Sequence, residues 1–534
     1  MTAVLTGDDH LVVHHDEPEL SSRQKNLILT AMCVALIAVM AAVSGLNSAQ
    51  MKISESLGAS TGDFLWIANA YTLALAALLM PVGAIGDRWS RRKVLLLGLT
   101  VYLVSNVVGA FAGSVAMLIG ARAIAGVGAA MIMPVTLSVI TSTFHGDERQ
   151  RAIGIWSGFA GAGAIFGMFI SSLIVDNASW RWVFIMPIAL AVIAFALSAR
   201  LVPDGADHHG GRFDYVGSLL SAVAVGGLVF GIHEGPEKGW TAPITLIPLV
   251  VGAVAAVAFV LYERQHENPL LKVEVFKNRM LSAGTGLLFL IFIVMMGMFL
   301  VITQFLMGVL GWGAVKATAG MLPMAFAMMP LSAVAPLIAK KTGTRALFMI
   351  GFSMAAGGLA LVASMVSVDG GYLSILPGLM VVGAGIGLSM TPGTAAITGS
   401  LPPEDQGVAS ALNDSVREIG ASVGIALMGS VLSAAYTSGV GDAASQLPGE
   451  VAHHVEEGIF GARAVSEQMI AGANGDPQMA GLGEQLLHTA QQAFVDGWSK
   501  TMWISAGIAA VAAIGAAVLA PTKSREAEFR VDLD

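Results

Sequence analysis

The sequence predicts an all-α integral membrane protein, and three observations carry that prediction. Hydrophobic residues fill 55% of 534 positions and charged ones only 12%, with a mean hydropathy of +0.74, a balance that water-soluble globular chains do not show. Apolar runs long enough to cross roughly 30 Å of hydrocarbon fall at 27–47, 64–85, 94–113, 115–140, 152–175, 181–201, 214–233, 242–262, 281–303, 315–339, 344–366, 371–399, 406–434 and 498–521, about fourteen spans. The cations then alternate: 20 of the 28 Lys and Arg residues sit on the tails and the even-to-odd connections, six on the opposite side, and Arg122 and Arg417 inside spans. Since positive residues remain cytoplasmic, both termini are expected in the cytoplasm.

The same composition excludes several functions. A net charge of -8 offers no basic face for nucleic acid. Cys33 is alone, so it forms no internal disulfide and reads as a small core residue. The segment Met1–Lys25 carries Asp8, Asp9, His10, His14 and His15 rather than a basic n-region, and is read as a solvated tail, not a signal peptide. There is no His-Glu-x-x-His, nucleophile elbow or phosphate-binding loop, so neither an enzyme, a metal nor a cofactor is expected.

Taken in order, the first informative stretch is Gly83-Ala84-Ile85-Gly86-Asp87-Arg88-Trp89-Ser90-Arg91-Arg92-Lys93. Gly83 and Gly86 let two helices approach closely, Asp87 can pair with a cation, and Arg88, Arg91, Arg92 and Lys93 hold the turn on the positive side. This order resembles the loop between helices 2 and 3 of the major facilitator superfamily, with Ser90 where that family usually has Gly. Leu118-x-x-x-Arg122-x-x-x-Gly126-x-Gly128 resembles its second motif, where a buried Arg is thought to serve proton transfer; a packing Arg bonded to neighbouring carbonyls is the alternative. Gly158 to Gly167, with Gly163 between them, spaces small residues three and four apart for backbone contact. It resembles the antiporter motif, although Met168, Ser171 and Ser172 replace its Gly-Pro and Gly-Gly.

Further matches point to one branch. Ser179-Trp180-Arg181-Trp182, Phe213-Asp214-Tyr215-Val216-Gly217 leading to Gly239-Trp240, Asn268-Pro269-Leu270-Leu271, and Gly407 to Gly420 are similar to the fourteen-helix drug:proton antiporters. That resemblance implies the major facilitator fold: two six-helix bundles plus two extra helices in the plasma (inner) membrane. Its parts are a tail (1–26), an N-terminal bundle (27–201), two linker helices with a cytoplasmic loop (202–280), a C-terminal bundle (281–521) with a long external polar loop (435–497), and a cytoplasmic tail (522–534). The loop Ala339 to Arg345 mirrors the opening motif, with Lys340 where the acid stood.

Asp414 and Glu418 lie one helical turn apart with Arg417 beside them, roughly 12 and 18 Å into the bilayer counting 1.5 Å per residue from 406. Together with Arg122 they are the proton-coupling candidates; a neutralised packing triad is the competing reading. The acid that related exporters carry in span one is missing, Ala42 standing in its place. Methionines crowd spans nine and ten, where soft side chains suit variable apolar ligands or simply fill helix contacts. Trp66, Asn69, Asn47, Gln304, Met296 and Met328 are the candidates for a substrate-cavity wall.

The resemblance implies a monomeric, proton-coupled multidrug antiporter exporting amphipathic or hydrophobic compounds, cationic ones among them, by alternating access. Its partners would be small substrates, protons and membrane lipids. Two alternatives stand beside it: export of an endogenous lipid or metabolite, and a membrane scaffold or sensor acting through loop 435–497.

Overall fold

The computed structural model describes residues 20–204, 213–473 and 476–529, and among them every regular element is helical. The histidines of the N-terminal tail and Arg212 lie outside the described residues. In chain order the helices are α1 (Ser22–Leu57), α2 (Thr61–Arg88), α3 (Arg91–Ala110), α4 (Val115–Thr143), α5 (Gly146–Asn177), α6 (Ile185–Leu201), α7 (Tyr215–Lys238), α8 (Pro243–Glu263), α9 (Arg279–Gln304), α10 (Ala314–Thr342), α11 (Thr344–Met365), α12 (Leu376–Thr398), α13 (Gln406–Ala444), α14 (Gly449–Glu457), α15 (Ile459–Gly472) and α16 (Pro477–Leu519). Among the described residues fourteen helices, all but α14 and α15, are long and apolar enough to cross a membrane.

Polar residues in the turns explain where these helices begin. Hydrocarbon offers no partner for the free amides of a first turn, so side chains supply one. Ser21 with Gln24, and Ser60 with Asp63, form capping boxes for α1 and α2. Ser90, Ser114, Asp214 and Asn278 accept first-turn amides of α3, α4, α7 and α9. Ser90 thus has a task that the family's glycine lacks.

The helices pack as two related bundles. In the first, α1 lies against α4, α5 and α6, α4 against α2 and α3, and α3 against α6. Moving eight helices along, with α16 in the place of α6, reproduces the second: α9 against α12, α13 and α16, α12 against α10 and α11, and α11 against α16. The repeat is faint in the residues and plain in the packing. Helices α7 and α8 form a hairpin, and α7 lies along both α2 and α13. Here the end of the molecule that carries the turn Arg88–Lys93 is called the basic end.

Close crossings rest on glycine. A Cβ on Gly128 would stand 2.7 Å from the backbone nitrogen of Tyr102, and one on Gly83 would stand 2.6 Å from Ala411 Cβ.

The stretch 435–497, expected as a polar loop, is mostly helix. Helix α13 continues to Ala444, α16 begins at Pro477, and α14 and α15 lie between them. The reason is one apolar face within a polar sequence: Val455, Ile459, Ala462 and Val465 are buried. Polar contacts fix the cap. Tyr436 Oη donates to Val455 O at 3.1 Å, and Arg463 Nη1 to Gly308 O at 3.0 Å. Gly308 belongs to a π-turn, Phe305–Val309, that ends α9, and its carbonyl needs such a donor.

Replacing Gly128 by Val forces α3 and α4 apart, and overpacking of this kind costs about 1–3 kcal/mol. Purified Gly128→Val protein is expected to unfold at a lower temperature than wild type in a thermal melt; an unchanged midpoint would contradict the packing described.

Candidate functional site

At the basic end the two bundles are held by Asp87, which is 2% exposed. Its Oδ1 accepts the amide of Gly407 at 2.8 Å and its Oδ2 that of Val408 at 3.0 Å. These are free amides at the start of α13, where the helix dipole favours a negative charge. Arg91 adds an ion pair to Asp87 at 3.3 Å and donates to Pro403 O at 3.1 Å. Gly83 permits the crossing, and Gly86 faces Val135 at ordinary contact distance. Arg88 stacks over the Phe213 ring at 5.5 Å, Arg92 donates to Ala199 O, and Ser90 Oγ donates to Asp204 at 2.7 Å. The turn therefore ties α2 to α13 and α3 to the end of α6.

On the opposite flank α5 meets α10. Gly154 and Gly158 bring α5 against Ser332 and Met329 of α10, and Ser332 Oγ donates to Gly154 O at 3.0 Å. Gly163 packs instead on Met40 of α1, and Gly167 is buried within α5. Lys340 pairs with Asp147, both largely exposed. Arg149 Nη2 donates to Gln406 Oε1 at 2.9 Å. A cavity of about 510 Å³ lies here, its lining including Arg149, Arg151, Lys340, Pro336, Leu347 and Glu526.

Deeper in the membrane, Asp414 and Arg417 form a buried pair, 3.3 Å apart, with 0% and 3% of their side chains exposed. Asn413 Nδ2 donates to Asp414 Oδ1 at 3.0 Å, while Asp414 Oδ2 finds no partner. The Arg417 guanidinium lies over Trp156 of α5 at 5.3 Å and Phe292 of α9 at 4.8 Å, so it touches a ring of each bundle. Glu418 is partly exposed. It lies within electrostatic reach of Arg417, and of Tyr71 across the bundle interface. Arg122, 2% exposed, stacks on the Tyr71 ring at 4.2 Å and donates from Nε to Ile67 O at 3.3 Å. The structure pairs Asp414 with Arg417 directly, puts Glu418 within electrostatic reach of that pair and of Tyr71, and stacks Arg122 on Tyr71.

The residues expected along a cavity wall occupy several places. Met328 is wholly buried where α5, α10 and α12 meet, beside Gly161, and Met296 and Gln304 are half-buried on α9. Trp66 packs its ring 5.7 Å from Phe230 of α7, and Asn69 bonds His233 of α7 at 3.1 Å. Asn47 belongs to α1, but its side chain lies outside the described residues.

Comparison with known proteins gives this arrangement its family. The family model of the Major Facilitator Superfamily matches residues 30–425. The chain belongs to the Major Facilitator Superfamily. Among its superfamily relatives, the multidrug efflux pump LfrA of Mycolicibacterium smegmatis is 32% identical over 494 residues, 92% of this chain and 95% of that protein. The multidrug resistance protein Stp of Mycobacterium tuberculosis is 30% identical over 414 residues, 77% of each chain. The superfamily's proton:xylose symporter XylE shares the fold, with a TM-score of 0.58 over 96% of this chain and all of its own, at 13% identity.

The contacts between the two bundles run along α2 with α13 and α5 with α10. Gln406, Gly407, Arg149 and His233 were not singled out by sequence reasoning, although Gly407 stood in a quoted motif. The available signal was pairwise: a glycine at the start of span thirteen matches a glycine and an acid at the end of span two.

Asp87→Ala leaves two buried amides unpaired, at about 1–3 kcal/mol each. The basic end is expected to open more often, so a cysteine placed at the buried Ala411 in a Cys33→Ser background should react with a membrane-impermeant maleimide at least tenfold faster than with Asp87 intact. An equal rate would show that Asp87 does not hold the bundles together.

Proposed function

We propose that this transporter is a proton-coupled exporter of amphipathic or hydrophobic compounds, cationic ones among them, with its basic end and both termini in the cytoplasm. The observation that carries the reading is the pair of unlike carboxylates one turn apart on α13. Asp414 is sealed and bound to Arg417, whereas Glu418 is partly exposed at the bundle interface. A carboxylate at a seam that opens and closes meets water in one state and protein in the other, so its proton affinity differs between states, and a proton can bias which state is populated. Glu418 is the exchanging group in this reading. Asp414 holds Arg417 in place, and Arg417 senses the interface through Trp156 and Phe292.

The two relatives named for multidrug efflux and resistance support export of drug-like molecules. Energetics require a driving ion for cationic cargo: expelling one positive charge against 100 mV costs about 2.3 kcal/mol. An uncoupled carrier would run that cargo inward.

Purified protein in liposomes, given tetraphenylphosphonium outside and an acidic lumen, is expected to concentrate the cation, and dissipating the gradient should abolish the accumulation. Glu418→Gln should lower gradient-driven uptake at least tenfold while leaving gradient-independent exchange measurable. Asp414→Asn should reduce both. Wild-type uptake that ignores the gradient would refute antiport, and full gradient-driven uptake by both variants would clear these carboxylates of the role.

A further inference from the structure

The two seams between the bundles differ in what fills their basic ends. At the first, the carboxylate of Asp87, at the end of α2, meets the opening amides of α13. By the repeat of eight helices, the matching place on the other flank lies between the end of α10 and the start of α5. There α10 offers Lys340 instead of an acid, and the residue before α5, His145, makes no side-chain cap. Where Asp87 fills the first seam, the second has the cavity of about 510 Å³.

The charges around this cavity are unbalanced. Asp147, Arg149, Arg151, Lys340, Lys523 and Glu526 line it, four cations against two acids, and both acids are already engaged. Asp147 pairs with Lys340. Glu526, 9% exposed, accepts the Thr344 amide at 2.6 Å and so caps α11. Arg149 Nη2 donates to the neutral Gln406 side chain at 2.9 Å, and Lys523 Nζ donates to the Lys341 carbonyl at 2.9 Å. Neither Arg151 nor Lys523, both exposed, forms an ion pair among the described residues. An excess of positive charge around a concave space attracts an anion.

The lining also changes with depth. Toward the middle of the membrane, Lys340 gives way to Pro336 on α10, Thr344 to Leu347 on α11, and Thr398 to Pro392 on α12. Pro336 is about 6 Å inward from Lys340 at 1.5 Å per residue. Leu337, another lining residue, is 61% exposed, and an exposed leucine on a membrane span faces hydrocarbon. The cavity therefore joins a charged upper half, at the level of the helix ends, to an apolar lower half that reaches the lipid side of α10. A small soluble anion would use the upper half only.

We propose that this cavity binds one anionic phospholipid, its phosphate among Arg151, Lys340 and Lys523 and its upper chain segments along Leu337, Pro336 and Leu347. A basic pocket between membrane helices suits such a headgroup, and a volume in the range of about 300–1,000 Å³ suits a ligand part of this size. Helix α5 belongs to the first bundle and α10, α11 and α12 to the second, so the lipid touches both. The site is independent of proton coupling and of the direction of transport.

Native mass spectrometry of the purified full-length protein counts bound lipid directly. In uncharged detergent with dioleoyl phosphatidylglycerol and dioleoyl phosphatidylcholine, one phosphatidylglycerol is expected to be retained, with about tenfold preference over phosphatidylcholine. Arg151→Glu with Lys523→Glu should lower that retention by about tenfold or more. Lys272→Glu with Lys277→Glu makes an equal change of charge on exposed residues outside the cavity and should leave retention as in wild type. A thermal melt without lipid reads folding separately; if the reversed pair melts early, Arg151→Gln with Lys523→Gln removes the charge without repulsion and decides the matter. Glycerol phosphate supplies the anion without chains, and should displace the lipid only at about a hundredfold excess or more. Equal retention of the two lipids, or retention untouched by the cavity variants, overturns the proposal. Equal losses in the two reversed pairs would assign the preference to general surface charge, and displacement by glycerol phosphate at matched concentration would reduce the site to one for a soluble anion; either result overturns it as well.

Discussion

Asp87 sits where two helices from different bundles touch backbone to backbone, and its carboxylate completes the first turn of α13. A buried acid is costly unless several donors surround it; here two amides, a helix dipole and Arg91 do so at once. These contacts join α2 to α13 at the basic end, across the boundary between the two bundles. Its counterpart on the other flank is chemically unequal. The repeat carries Lys340 where Asp87 stands, and the pair it makes with Asp147 is solvent-exposed, a class of contact worth about 0–1 kcal/mol. One seam is closed by a buried acid, while beside the other lies a cavity of about 510 Å³. Two bundles of related packing are thus fastened by unlike bonds.

The ionisable groups within the membrane follow one economy of means. The two arginines inside spans are shielded by groups that also pack the helices: Arg122 by the Tyr71 ring and the Ile67 carbonyl, Arg417 by Asp414 and two rings. Trp156 joins this set through Thr136, which accepts its indole proton at 3.2 Å. Because Trp156 and Phe292 come from opposite bundles, any rocking must alter the surroundings of Arg417.

Much of this architecture was legible in the residues, for identifiable reasons. Span number followed from hydropathy, because span length is set by the bilayer rather than by packing. The closeness of Gly83 to another helix was readable; that the other helix would be α13 was not, since no local pattern encodes a partner more than 300 residues away. His233 escaped notice because Glu234-Gly235-Pro236 reads as the end of a span, whereas α7 runs on through Pro236 to Lys238. The 435–497 stretch was misjudged as loop because its hydropathy is low on average, and only one face of α14 and α15 is apolar.

That last stretch also reshapes the molecule as a mechanical object. Helix α13 has 39 residues, about 58 Å at 1.5 Å per residue, nearly twice the roughly 30 Å of a hydrocarbon core. With α16 and the two short helices it builds a turret on one half of the protein only, while the other half ends in short turns. Any tilt of the half that bears the turret displaces its tip further than the membrane end of the same helices, simply because the tip is farther from the bilayer.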